Sequence, residues 1–191
     1  MDAAGKTYGA PEGRSVKSFR EYMKLVGEYI DLKPKAEKGD AKAKVEFFIR
    51  ALQMGDYKTL DEAKKHLATL KNVSQEQKGR IDSIFVGFEV QEILEPFRNN
   101  RDRNKTQELQ AAAGKEFLRM HKANRIPAKD QDFGDFYSAI LVHAEAAKDI
   151  PVFEEALKLL EGRFPEAEAF FNRKREILEK LKEEKAEKEQ K

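Results

Sequence analysis

The chain has no cysteine among its 191 residues. That absence excludes a disulfide, a thiolate metal site and a cysteine nucleophile. It also lacks any apolar run approaching the roughly 18 residues that a membrane span needs. Met1-Asp2-Ala3-Ala4-Gly5 holds no apolar signal region, so a cytoplasmic protein without membrane attachment is expected. An excess of one charge is missing too: 37 basic residues face 35 acidic ones, for a formal net charge of +2. Such a balance gives no global footprint for nucleic acid, which is not the expected partner. There are only three histidines, His66, His121 and His143, and none stands at a metal spacing such as His-x3-His. No glycine-rich phosphate loop follows a strand, and no Ser-His-Asp set can be assembled. Neither a cofactor nor an enzymatic activity is expected.

What is present is charge and helical periodicity. Charged residues make up 38% of the chain, and thirteen Phe with five Tyr are available for a core. That combination describes amphipathic helices with one apolar stripe and a wide solvated face. Residues 1–14 read as loop, and Ser15 is placed to cap a helix carrying Val16, Phe19, Met23, Val26 and Ile30 at helical spacing. Pro34 biases Lys33 away from helix, so 32–39 reads as a linker. Asp40 can cap a helix over 41–54, and Thr59 with Glu62 forms a capping box for the next helix; together these are a first hairpin. Ser74 with Gln77 is a second capping box, opening a helix to about Phe97 that is apolar on more than one face and reads as central to the fold. With a helix over roughly 104–124, where Ala111–Ala113 permit close approach, it makes a second hairpin. Asp130 or Asp132 restarts the chain, Pro151 fits the first turn of the following helix, and these two helices make a third hairpin. Pro165 then opens a last helix, which loses its apolar stripe near Lys182.

The expected fold class is therefore all-α: three antiparallel hairpins plus a terminal helix, in a short solenoid or irregular bundle. The expected organisation is an N-terminal loop, helix and linker over 1–39, a helical-repeat domain over 40–181 and a charged tail over 182–191. Two stretches echo each other at an offset of 93 residues. Asp56, Leu60, Glu62, Ala63 and Leu67 answer to Asp149, Phe153, Glu155, Ala156 and Leu160.

Ala51, Gly55-Asp56-Tyr57, Ala63 and Leu67, and in the second copy Ala144, Asp149, Ala156 and Leu160, resemble a tetratricopeptide-type repeat. The departures are three extra residues in each copy (Lys58-Thr59-Leu60 and Pro151-Val152-Phe153), a poorly matching second hairpin and no steady repeat length. The resemblance implies a platform for another protein or peptide. A second resemblance covers about thirty residues. Asp2-Ala3-Ala4-Gly5-Lys6, Glu12-Gly13 and Ser18-Phe19-Arg20-Glu21-Tyr22-Met23 look like the last hairpin and final helix of a thioredoxin-like domain. Some bacterial thioredoxin-family proteins carry helical extensions resembling residues 41–95. The family's Cys-x-x-Cys is absent, so redox catalysis does not transfer; the resemblance implies a module that rides on, or descends from, such a protein, and adds a thioredoxin-like protein to the expected partners.

The expected function is thus a non-enzymatic helical-repeat module that binds another protein, through Phe47, Arg50, Tyr137 and His143 on the first helices of hairpins one and three, with Tyr57 of the first turn. The alternative is nucleic-acid or phosphate binding by the basic loop, through Arg98, Arg101, Arg103 and Lys105. No aromatic residues are interleaved there for base stacking, and a polar turn between two long helices has the same composition. Glu89 and Glu92 share a helix face and would suit acid–base work only if buried in a cleft; on helices this charged they read as solvated.

Overall fold

The structure, a computed structural model, describes residues 16–189; the side chains of Arg103, Lys188 and Glu189 fall outside that description. So do the expectations placed on residues 1–15, including the Ser15 cap and the first part of the thioredoxin-like match. The described residues form eight helices and no strand, so the protein is all-α. In chain order these are α1 (Val16–Glu37), α2 (Ala41–Gln53), α3 (Leu60–Leu67), α4 (Gln75–Arg98), α5 (Arg103–Lys122), α6 (Asp130–Ala147), α7 (Ile150–Arg163) and α8 (Glu168–Glu189). Contacts divide the chain into two compact units, Met1–Phe85 and Val86–Lys191, with the division inside α4.

In the first unit the closest pairing is α1 with α2. Their connection is short because α1 ends in a Schellman motif. Gly39 takes a positive φ of 96°, its amide bonds the Ala36 carbonyl at 3.1 Å, and the Asp40 amide bonds Lys35 at 3.2 Å. Asp40 then caps α2 by accepting from the Ala43 amide at 3.0 Å. The expected linker over 32–39 is corrected here, since helix continues through Pro34 to Glu37. Pro34 removes the bond to the Ile30 carbonyl, but both residues are exposed and water can take that acceptor. The same motif ends α2: Gly55 has φ 73°, and the amides of Gly55 and Asp56 bond Leu52 and Ala51. Ser74 and Gln77 make the full reciprocal capping box at 3.0 and 3.2 Å. Thr59 caps Glu62 at 3.2 Å, while the Glu62 carboxylate reaches the Lys58 amide instead of that of Thr59.

In the second unit α6 lies between α5 and α7, and α8 packs on α7. Eight residues of α6 are buried, with Phe136, Tyr137, Ile140 and Leu141 meeting Phe117 of α5 and Phe153 of α7. α5 comes nearest at Gly114, where a Cβ would overlap the Ala139 carbonyl oxygen and lie 2.6 Å from its carbon. α6 and α7 are joined by a Schellman turn built on Lys148, at φ 54°, followed by Asp149 capping the Val152 amide at 3.2 Å. The two echoing stretches therefore share one turn geometry at Gly55-Asp56 and Lys148-Asp149. They diverge directly after it, since α7 starts at Ile150 whereas α3 waits until Leu60.

Two helix starts differ from expectation. Neither Asp130 nor Asp132 caps α6; Lys129 holds the N-cap position without a side-chain capping bond, and Asp130 begins the helix, where its charge suits the dipole. Asp132 is instead buried and accepts from Gln91 of α4. Pro165 does not open α8, which starts at Glu168 after a turn closed by the Ala167 amide on Phe164. α8 buries Phe171, Leu178 and Leu181 and adds ion pairs from Lys174 to Glu145, Arg175 to Glu161 and Lys182 to Glu154. Glu184, in the expected solvated tail, pairs with Lys148.

Candidate functional site

α1 is apolar on two adjacent faces. At about 100° per residue, Tyr22, Leu25, Val26, Tyr29 and Ala36 fall within one arc of about 120°. That arc faces α2: Tyr29 and Ala36 are buried, and Tyr22, Leu25 and Val26 pack in the cluster with Phe47, Ala51 and Met54. Val16, Phe19, Met23, Gly27 and Ile30 fall within a second arc of about 100°. Among the described residues nothing covers this outward arc: Val16 is 69% exposed, Phe19 54%, Met23 51% and Ile30 45%. The sequence stripe from Val16 to Ile30 thus does not pack on α2, apart from Val26. The remaining third of the surface is polar and paired along the helix, Lys17 with Glu21 at 4.0 Å and Lys24 with Glu28 at 3.9 Å. Arg20, exposed at the edge of the apolar arc, has no ion-pair partner among the described residues.

Phe47, Arg50 and Tyr57 are brought together in the first unit, but inside the α1–α2 pairing. The Phe47 ring lies 4.7 Å from that of Tyr29. Arg50 holds Glu28 of α1 at 2.7 Å and Gln53 at 2.8 Å. The Tyr57 hydroxyl bonds His66 Nδ1, and both rings stand edge-on to Phe48. Burial, with the nearby charges of Asp56 and Glu62, pushes the Tyr57 phenol up to about 12. Tyr29 donates to Asp56 at 2.7 Å. Alongside, Glu46 accepts from Gln77 at 2.8 Å and pairs with Arg80 at 3.1 Å. Burial raises its carboxyl, but the Gln77 bond and the Arg80 and Arg50 charges outweigh that and hold it below its ordinary value.

Tyr137 and His143 lie in the second unit. Tyr137 is 1% exposed, so its side chain offers a partner almost no surface. Its hydroxyl lies 2.9 Å from His121 Nδ1, and His121 Nε2 lies 3.1 Å from Glu155 Oε1. A carboxylate only accepts, so the neutral ring donates from Nε2 and accepts the tyrosine proton at Nδ1. One hydrogen-bonded chain thereby ties α5, α6 and α7. Burial, helped by the Glu155 charge, pushes the Tyr137 phenol up to about 12. His143 is partly buried where α6 faces Gly114. Beside the chain Phe133 and Leu159 floor a shallow groove of about 480 Å³, rimmed by Glu155, Lys158 and Arg163. Arg163 lies 5.1 Å above the Phe133 ring and is held by Asp130 and the Ala128 carbonyl.

The basic loop is less basic in space than in sequence. Arg98 turns back to Asp135, at 2.5 Å, and to Gln91. Asn100 bonds the Asp102 backbone in both directions, and Asp102 caps α5 through the Asn104 amide at 3.0 Å. Arg101 and Lys105 are exposed; the side chain of Arg103 is outside the described residues. Glu89 is drawn to Arg125, away from joint work with Glu92. No group of residues with metal-holding geometry occurs among the described residues. No described helix is long and apolar enough to cross a membrane. Compared with family models, curated proteins and solved structures, the chain matches none.

Sequence reasoning missed the outward face of α1, although the signal was present: two stripes, Val16-Phe19-Met23-Ile30 and Tyr22-Leu25-Tyr29-Ala36, each at helical spacing. It also missed that His66 and His121 serve tyrosines, a pairing no local spacing marks.

Proposed function

We propose that this chain is a non-enzymatic helical module that binds another protein, and that the partner seats on the outward face of α1. The observation that carries the reading is the row of four large apolar side chains left in water on α1. A helix apolar over about two thirds of its circumference is the pattern of an element buried between two neighbours, and α2 supplies only one of them. Contiguous exposed apolar patches are the usual mark of an interaction surface. The chemistry of the partner follows: an apolar protein face with a carboxylate opposite Arg20. Of the five residues singled out from sequence, Phe47, Arg50, Tyr57 and Tyr137 are engaged within the fold, so the reading moves the docking face from the hairpin helices to α1.

The likeness of residues 18–23 to the final helix of a thioredoxin-like domain supports such a domain as the occupant: a module that rides on one would turn the exposed Phe19 and Met23 of that helix toward it. A tetratricopeptide-like character is supported by the matching turns at Gly55-Asp56 and Lys148-Asp149. A cytoplasmic setting is part of the same reading. The basic loop is not favoured, because Arg98 is committed to Asp135 and Gln91.

The test is a pull-down from native lysate with wild-type chain and with a Phe19→Asp/Met23→Asp variant, identified by mass spectrometry. Both positions are exposed, so the variant folds. The reading requires a thioredoxin-like protein retained by wild type and lost by the variant. Equal retention by both removes α1 as the docking face.

A further inference from the structure

We propose that the groove between α6 and α7 binds an apolar α-amino acid, with its side chain on the groove floor and its two charged groups on Glu155 and Lys158. The site goes beyond protein docking and stands apart from it, since its residues belong to the second unit and α1 to the first.

The groove runs along one face of α7. Glu155, Lys158, Leu159, Gly162 and Arg163 follow one another at helical spacing, and Phe133 of α6 completes the lining. Phe133 and Leu159 make an apolar floor. Gly162 adds bare backbone: a Cβ built there meets nothing within 4 Å, so the space above it is open. The volume of about 480 Å³ lies in the range of small-ligand sites, roughly 300–1,000 Å³.

The charges select the ligand. Arg163 is already neutralised, with Nε 2.7 Å and Nη2 2.6 Å from Asp130 Oδ1. Lys158 is exposed and has no ion-pair partner among the described residues. Glu155 Oε1 accepts from His121 at 3.1 Å, a neutral donor that leaves the carboxylate charge uncancelled. The Tyr137–His121 chain holds that carboxylate in place, and its Oε2 bonds nothing among the described residues. Glu155 and Lys158 are thus opposite charges about one helical turn apart, roughly 5–6 Å between Cβ atoms, and not paired with each other. A ligand with an ammonium and a carboxylate on one carbon answers both. A carboxylate alone would meet Glu155 as a like charge, and an amine alone would meet Lys158 so. The apolar floor takes the side chain.

The experiment titrates L-phenylalanine into the isotopically labelled full chain and follows backbone amide shifts by NMR. Saturable shifts are expected at Phe133, Leu159 and Gly162. Hydrocinnamate, which lacks the ammonium, and phenethylamine, which lacks the carboxylate, are expected to bind more weakly by about tenfold or more. Gly162→Leu fills the groove and Lys158→Glu removes the carboxylate's partner, and each should weaken L-phenylalanine by about tenfold or more. Both positions are exposed, and unchanged shifts elsewhere report that the variants fold. Phe19→Asp, on α1, should bind L-phenylalanine like wild type. Shifts that do not saturate, or that centre away from the three groove amides, overturn the site. Equal binding of hydrocinnamate or phenethylamine overturns the zwitterion, and equal binding by Gly162→Leu or Lys158→Glu overturns the groove. Loss of binding in Phe19→Asp puts the ligand on α1 and overturns the site as well; partner retention in the pull-down bears on the docking face alone.

Discussion

Gly114 of α5 lies directly against the Ala139 carbonyl of α6, so closely that any Cβ at position 114 would overlap that oxygen and approach the His143 Cβ to 2.8 Å. The obstacle is backbone, which cannot rotate aside. Gly114→Ala is therefore expected to destabilise the second unit by about 2 kcal/mol, the overpacking cost outweighing the better helix propensity of alanine. Gly79→Ala is the control: a Cβ there meets nothing within 4 Å, so the same change should be neutral or stabilising by up to about 1 kcal/mol. Urea unfolding of both variants checks the pair of opposite signs.

The two tyrosines bonded to histidines should titrate late. In each the folded phenol lies at about 12 against an ordinary 10.0. The folded state holds the proton more tightly. The stability this contributes is thus full below pH 10 and is lost as pH rises from 10 toward about 12. Difference absorbance at the phenolate band, wild type minus Tyr57→Phe and wild type minus Tyr137→Phe, should place both signals near pH 12 in the folded protein. A signal near pH 10 for Tyr137 would contradict its burial behind His121.

Lys148 holds a left-handed conformation at φ 54°, which costs a residue with a Cβ about 1 kcal/mol. Lys148→Gly should be more stable than Lys148→Ala by about that amount. Both lose the exposed pair with Glu184, so their difference isolates the backbone. Thermal melts of the two variants decide it; equal melting temperatures would remove strain from the turn.

Much of the fold can be read from the chain, and the limits have physical causes. The helix caps at Asp40, Ser74 and Asp149 and the glycine turns at Gly39 and Gly55 depend on neighbours within a few residues, so they are written locally. The all-α class follows from the same periodicity. Pro34 shows where a local rule yields: with one turn of α1 left and an exposed carbonyl freed, water makes up the loss.

The candidate site was less legible. Periodicity shows that α1 has two apolar stripes, but it cannot say which one the rest of the chain will cover. That depends on Phe47, Ala51 and Met54 of the α2 segment closing over Tyr29. Distance in sequence hides the other partners. Arg98 meets Asp135 37 residues away, and His121 meets Glu155 34 residues away. A run of basic residues and a lone histidine therefore looked freer in sequence than they are in space.

The most direct test of the central claim is the retention of partner protein by wild-type chain against Phe19→Asp/Met23→Asp, with and without nuclease. The account predicts a discrete thioredoxin-like partner that survives nuclease, is held by wild type and is lost from the variant. Retention that is equal in the two chains, or that disappears with nuclease, would contradict it; the second result would turn attention to Arg101 and Lys105.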